Sequence, residues 1–201
     1  RANGGDAHVI PCNIGRREEV ERLIKESNAH YGKIDVMVCN AAVNPHYGPM
    51  VSLTDDAFDK IMNLNIRSLF VLSQRIAKKS MIPNRYGRII SMSSMAGMRG
   101  APDLVAYNTS KGAVINFTRS LAAAWGKYGI TANALAPGMF PSKMTKGLFE
   151  RNGVETYASA APLGRIGDDQ DLKGALLLFA SDAGKHITGQ TLAVDGGVTS
   201  V

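Results

Sequence analysis

The feature that most constrains this chain is a repeated exchange of hydrophobic period. Short β-type runs alternate with long helix-type runs from one end to the other. Residues 8–10 read as a short strand. Residues 16–30 read as a helix with Val20, Leu23 and Ile24 on one face. Residues 34–39 form a Val-rich buried strand that ends at Asn40, Ala41 and Ala42. Thr54 is placed to cap a helix that opens with Asp55 and Asp56, the right charge for a helix N-terminus, and runs to about Lys79. The pattern then repeats: a strand over 88–93, a Gly/Pro loop over 97–102, a long helix over 105–125, and a strand over 130–136 stopped by Pro137 and Gly138. Residues 139–167 read as irregular, 168–181 as a capped helix and 190–194 as a last strand. Strands joined through helices of this length require βαβ crossovers, hence a parallel sheet covered on both faces. The expectation is a single α/β domain over residues 1–201, with its polar opening stretch at residues 1–6.

Composition narrows the function classes. Apolar residues make up 45% of the chain, enough for a sizeable core. The longest apolar stretches, such as 175–180, fall far short of the ~20 residues a membrane span needs. The formal net charge is +6. Its positive residues are spread out, and Arg16 and Arg17 are followed at once by Glu18 and Glu19. The densest group, Arg75, Lys78, Lys79, Arg85 and Arg88, has no interleaved aromatic platform for bases. Neither nucleic acid nor a membrane is expected as a partner. Cys12 and Cys39 are the only cysteines, so a disulfide framework is not expected. A reducing, cytoplasmic location fits, with a targeting signal upstream of Arg1 left open. His8, His30, His46 and His186 have no ligand spacing, so no metal is expected.

In a parallel sheet of this kind ligands sit beyond the carboxyl ends of the strands. That rule selects residues 40–42, 93–97 and 137–142. Tyr107 and Lys111 lie four apart at the start of the long helix, on one face. A phenol titrates near 10 and is a poor acid/base at neutral pH unless something shifts it. An ammonium at about 4 Å and an effective dielectric of about 20 would favour the phenolate by about 4 kcal/mol. Ser94 stands thirteen residues before Tyr107, just past a strand end, where a hydroxyl can stabilise charge on a substrate oxygen. Asn65 lies inside a predicted helix, where asparagine is a mediocre former. It is read either as surface decoration or as a holder of water on a proton path to Lys111. Met95, Met98, Met139 and Met144, with Leu148 and Phe149, suggest an apolar, adaptable pocket under a mobile segment. His46 and Tyr47 lie in a loop near the expected cleft.

Taken in order, these motifs resemble the short-chain dehydrogenase/reductase family almost end to end. The carriers are Asn40-Ala41-Ala42, Asn65 in Met-Asn-Leu-Asn-Ile, Ser94 in Ser-Met-Ser-Ser and Tyr107-Asn-Thr-Ser-Lys111. Beyond them come Asn133-Ala-Leu-Ala-Pro137-Gly138 and the tail from Ile187 to Gly197. The resemblance implies a Rossmann-like, doubly wound parallel sheet in a three-layer αβα arrangement. It implies hydride transfer between NAD(P)(H) and a carbonyl/secondary-alcohol pair (EC 1.1.1.-). Tyr107 would be the general acid/base, Lys111 would lower its pKa and bind the nicotinamide ribose, Ser94 would orient the substrate oxygen, and Asn65 would anchor a relay water. Cofactor contacts are expected from Asn13, Ile14, Asn40, Ala41, Ala42, Tyr107, Lys111, Pro137, Gly138, Phe140 and Ser142. A small-molecule substrate and a homotetramer are implied.

The chain departs from the family pattern in three ways. The glycine-rich phosphate loop that opens the family is not among these residues, and the sequence is expected to lack the first strands of its sheet. Cys39 and Ala42 stand where Asn and Gly are common. Asn13 stands where an adenine-contacting aspartate is usual, though its amide can still accept a hydrogen bond. The stretch from Ala41 to Pro49 resembles the NADPH-dependent carbonyl reductase branch, which favours NADP(H) slightly over NAD(H). The competing reading is a catalytically silent relative acting as a binding or scaffold protein, supported only by the missing glycine loop.

Overall fold

Four parallel strands, laid side by side in chain order, form the centre of the computed structural model, which describes residues 4–201. They are β1 (Val36–Cys39), β2 (Gly87–Met92), β3 (Ile130–Pro137) and β4 (Thr191–Val194). Val38 pairs with Ile90, Ile90 with Asn133, and Leu135 with Leu192. β2 and β3 are buried nearly throughout. β1 instead alternates, with Met37 inside and Val36 and Val38 exposed. The expected parallel sheet is therefore present. Residues 1–3 of the polar opening stretch lie outside the described residues.

The helices cover both faces, as a doubly wound sheet requires. On one face lie α1 (Arg17–Tyr31), the long connection between β1 and β2, and α5 (Val105–Trp125). Val20 and Ile24 of α1, Leu72 and Ile76 of the connection, and Leu121 of α5 meet Met37, Ile89 and Ile130 there. On the other face α8 (Asp171–Ala180) places Phe179 against Ile90 and Leu135. Odd and even residues of β2 thus feed two separate cores, the strand period of two made visible.

The connection between β1 and β2 is longer and less regular than its sequence predicts. It runs α2 (Asp55–Met62), a π turn at Asn63–Arg67, α3 (Ser68–Ile76), a second π turn at Ala77–Met81, and α4 (Ile82–Asn84). Thr54 caps it as expected, its hydroxyl accepting from the Ala57 N–H at 3.3 Å. The chain then leaves the helix through Arg85 in the left-handed region. Single π turns are common at functional sites, and the first of these contains Asn65.

Two other expectations are corrected. Residues 8–10 are not a strand: they join no ladder, and Val9 is exposed. A strand exists only through its ladder, and no described strand lies outside β1 to supply one. Residues 139–167 are not wholly irregular but hold α6 (Lys146–Asn152) and α7 (Val154–Ala158), separated by Gly153 at φ 74°. Their few turns are too short to give a readable period. No helix among the described residues is long and apolar enough to cross a membrane.

Candidate active site

The carboxyl ends of β1, β2 and β3 bring the candidate residues to one side of the sheet. β2 runs into Ser93 and Ser94, followed by a 3₁₀ turn at Met95–Gly97. Two backbone-directed bonds fix Ser93: its N–H donates to the Leu135 carbonyl of β3 at 2.7 Å, and its hydroxyl to the Lys111 carbonyl of α5 at 2.8 Å. The turn is thereby fastened to both neighbours. Ser94 follows, accepts from the Ala96 N–H at 3.1 Å and lies close enough to the Tyr107 phenol to pull its pKa down. Tyr107 and Lys111 sit on α5, whose ends match the predicted 105–125.

The electrostatics differ from the expectation. Lys111 is 3% exposed, and its Nζ donates to the Met92 carbonyl at 2.7 Å. It lies 5.6 Å from the centre of the Tyr107 ring. Burial pulls the Lys111 ammonium down to about 8. Burial also pushes the Tyr107 phenol above its ordinary value, with the neighbouring Ser94 hydroxyl pulling the other way. The expected lowering of the phenol by its neighbour is therefore not what this arrangement produces. Desolvation penalises the charged form of each group and is the leading cause of both shifts.

Asn65 is buried, not surface decoration. Its Oδ1 accepts from the Val43 N–H at 2.9 Å. Its Nδ2 donates to the Val43 carbonyl at 3.1 Å and to Ser110 Oγ at 3.0 Å. Both donors are used, which leaves one acceptor site on Oδ1 for a water. Ser110, immediately before Lys111, is fully buried and was not singled out in the sequence. The only signal for it was a small hydroxyl inside a helix, where back-bonding to the preceding turn is common.

The expected cofactor residues divide between cavities. Ile14, Asn40, Ala41 and Lys111, together with the relay candidate Asn65, line a cavity of about 440 Å³ along β1. Phe140 lines a different one, of about 490 Å³, with Tyr157, Pro162 and Gly197. A Cβ on Gly167 would stand 2.3 Å from the Phe140 ring, so that ring is closely packed. Pro137 ends β3, and the Gly138 N–H donates to the Val194 carbonyl at 3.0 Å. Ser142 is exposed, its hydroxyl 2.9 Å from Thr145 Oγ1. Asn13 is exposed in the turn before α1: its Oδ1 accepts from the Gly15 N–H at 3.0 Å, and its own N–H donates to Glu19 at 2.6 Å. Ala42 is half-buried and continues into Val43.

Cys39 lines the first cavity, and burial pushes its thiol up to about 12, which makes it a neutral packing group. His46 hydrogen-bonds Ser52 Oγ at 3.0 Å, and Tyr47 is exposed. Among the described residues no group of three or more His, Cys, Asp or Glu is placed to hold a metal.

Similar proteins are known both by sequence and by structure. The family model described as enoyl-(acyl carrier protein) reductase matches residues 1–199. A 3-oxoacyl-(acyl-carrier-protein) reductase of Rickettsia felis is 38% identical over 190 residues, covering 94% of this chain and 76% of the relative. Among solved structures, a putative gluconate dehydrogenase from Agrobacterium tumefaciens superposes with a TM-score of 0.94 at 28% identity, covering 100% of this chain and 79% of the other. A gluconate 5-dehydrogenase from Burkholderia cenocepacia, in complex with NADP and tartrate, superposes at 0.89 and 33% identity, covering 94% of this chain and 73% of the other. With its parallel sheet, its ordered motifs and these relatives, the chain belongs to the short-chain dehydrogenase/reductase family.

Proposed function

We propose that the protein is an oxidoreductase that interconverts a carbonyl and a secondary alcohol, with NADP(H) favoured over NAD(H) as hydride partner. One observation carries the reading: the Ser94 hydroxyl neighbours the Tyr107 phenol at the strand ends, with the Lys111 ammonium one helical turn along. A phenol that burial keeps protonated is an acid ready to give its proton to a carbonyl oxygen. Ser94 holds that oxygen beside it. Lys111 brings positive charge close to where negative charge develops, in a water-poor site where charge acts strongly.

The residues present fit a nicotinamide cofactor. The cavity along β1 joins Asn40 and Ala41, at a strand end, to Lys111, and its wall combines polar and apolar groups. Asn40, Ala41, Ala42 and Lys111 would hold the ribose side, and Pro137, Gly138 and Ser142 the ring side. Bound there, the nicotinamide supplies or accepts the hydride. The NADP complex of the gluconate 5-dehydrogenase supports the cofactor preference. The 3-oxoacyl and gluconate relatives support a small-molecule carbonyl or alcohol as substrate. A homotetramer belongs to the same reading, supported by the exposed rings of Phe58 and Phe70.

The test uses the natural full-length protein with NADPH, NADH and a panel of ketones. Tyr107→Phe is expected to lower kcat by roughly 10²–10⁴-fold, the range of a lost general acid, with NADPH affinity by fluorescence unchanged. Turnover equal to wild type would overturn the mechanism. Wild-type protein that neither quenches nor oxidises NADPH or NADH would favour a silent binding protein instead.

A further inference from the structure

The bonds around Asn65 form a continuous brace that starts on the helix of Tyr107. Ser110 Oγ donates to the Tyr107 carbonyl at 2.8 Å. Its proton is committed there, so toward Asn65 the same oxygen can only accept. It accepts from Asn65 Nδ2 at 3.0 Å. That contact selects one of the two amide orientations, the one that turns Oδ1 to the Val43 N–H and leaves the second Nδ2 hydrogen for the Val43 carbonyl. Val43 directly follows Asn40–Ala42, and Asn40 and Ala41 line the cavity along β1.

We propose that Ser110 is a positioning residue: it fixes the Asn65 amide, and through it the loop at residues 40–43, in register with Tyr107 and Lys111. Three pieces of chain far apart in sequence meet at this point: the loop after β1, the π turn and α5. Asn65 and Ser110 are both buried, so water does not replace a bond that is removed. Ser110 touches neither substrate nor cofactor in this role. It acts through Asn65. The brace itself is independent of the proposed reaction, whereas its effect on turnover rests on that reading.

The experiment is a double-mutant cycle with Ser110→Ala, Asn65→Ala and the pair, in the full-length protein. Two readouts are taken: amide hydrogen exchange of the segment containing Val43, and kcat and KM for the best ketone. Loss of a buried acceptor should speed exchange at Val43 by roughly fivefold or more in Ser110→Ala. It should lower kcat several-fold with the ketone KM unchanged. In the Asn65→Ala background, Ser110→Ala should add little to either effect. Unchanged exchange, unchanged kcat, or effects that simply add would each overturn the proposal. If wild type turned over no ketone, the functional reading would fall, while the exchange data would still decide the brace.

Discussion

At the scale of single residues, Lys111 is the side chain whose charge is least at home. It is buried, its Nζ donates to the Met92 carbonyl, and its ammonium is pulled down to about 8 from 10.5 by desolvation. Below pH 8 both folded and unfolded chains hold the proton, and the penalty for the buried charge is constant. Between about 8 and 10.5 the unfolded chain binds more protons than the folded one, so the penalty fades as pH rises. Above 10.5 neither state is charged and the penalty is gone. Lys111→Met removes the titration. Relative to that variant, the wild type should therefore gain stability as pH rises from 8 to 10.5, by at most about 3 kcal/mol for a shift of this size. Urea unfolding of both proteins across this range measures the difference, and titrations common to both cancel. The lost bond to Met92 shifts the whole curve without changing its slope. A flat difference would mean that Lys111 is solvated in the folded protein.

At the scale of elements, the site depends on how the turn after β2 docks on α5. Gly97 makes the closest approach: a Cβ there would stand 2.6 Å from the Lys111 carbonyl carbon, 2.7 Å from its oxygen and 2.9 Å from the Gly112 nitrogen. All three are helix backbone and cannot swing aside. Gly97→Ala should push the turn, and Ser94 with it, away from Tyr107. A misplacement near 1 Å is worth about 10²-fold in kcat/KM, and the overpacking about 1–3 kcal/mol of stability. Gly100→Ala is the matched control, because its added Cβ meets nothing within 4 Å. Equal kinetics for the two variants would show that the docking does not set the site. Sequence could not reveal this, since Gly97 reads only as part of a loop and its neighbour lies on another element. Local signals did appear in the sequence where they act locally: the Thr54 cap, the ends of α5, and Pro137 and Gly138 closing β3. The π turns were not legible, because the phase shift that an extra residue makes in a 3.6-residue period cannot be read across helices as short as α2 and α3. The direction of the Tyr107 shift was not legible either, because it depends on burial and not on spacing.

At the scale of the whole molecule, alternating periods were enough to give a parallel sheet with its chemistry at the carboxyl ends of the strands. What they could not give is which strand stands at an edge, since edges follow from neighbours in space. β1 is such an edge among the described residues. Its outer side has no described partner, and Val36 and Val38 are exposed on the same face as Ile90, beyond the cluster that α8 covers. Unpaired N–H and C=O groups beside branched apolar side chains are a template for another strand. A polypeptide of these 201 residues should therefore self-associate through β1 as its concentration rises. Val38→Lys places a charge on that edge, a device by which sheets resist pairing. Val38 is already 43% exposed, so the lysine can reach water and the core should be undisturbed. Sedimentation velocity is expected to show smaller species for the variant, with an unchanged far-UV circular dichroism spectrum. Association that persists in Val38→Lys would move the contact to the face carrying Phe58 and Phe70, where substituting those rings should then dissolve it.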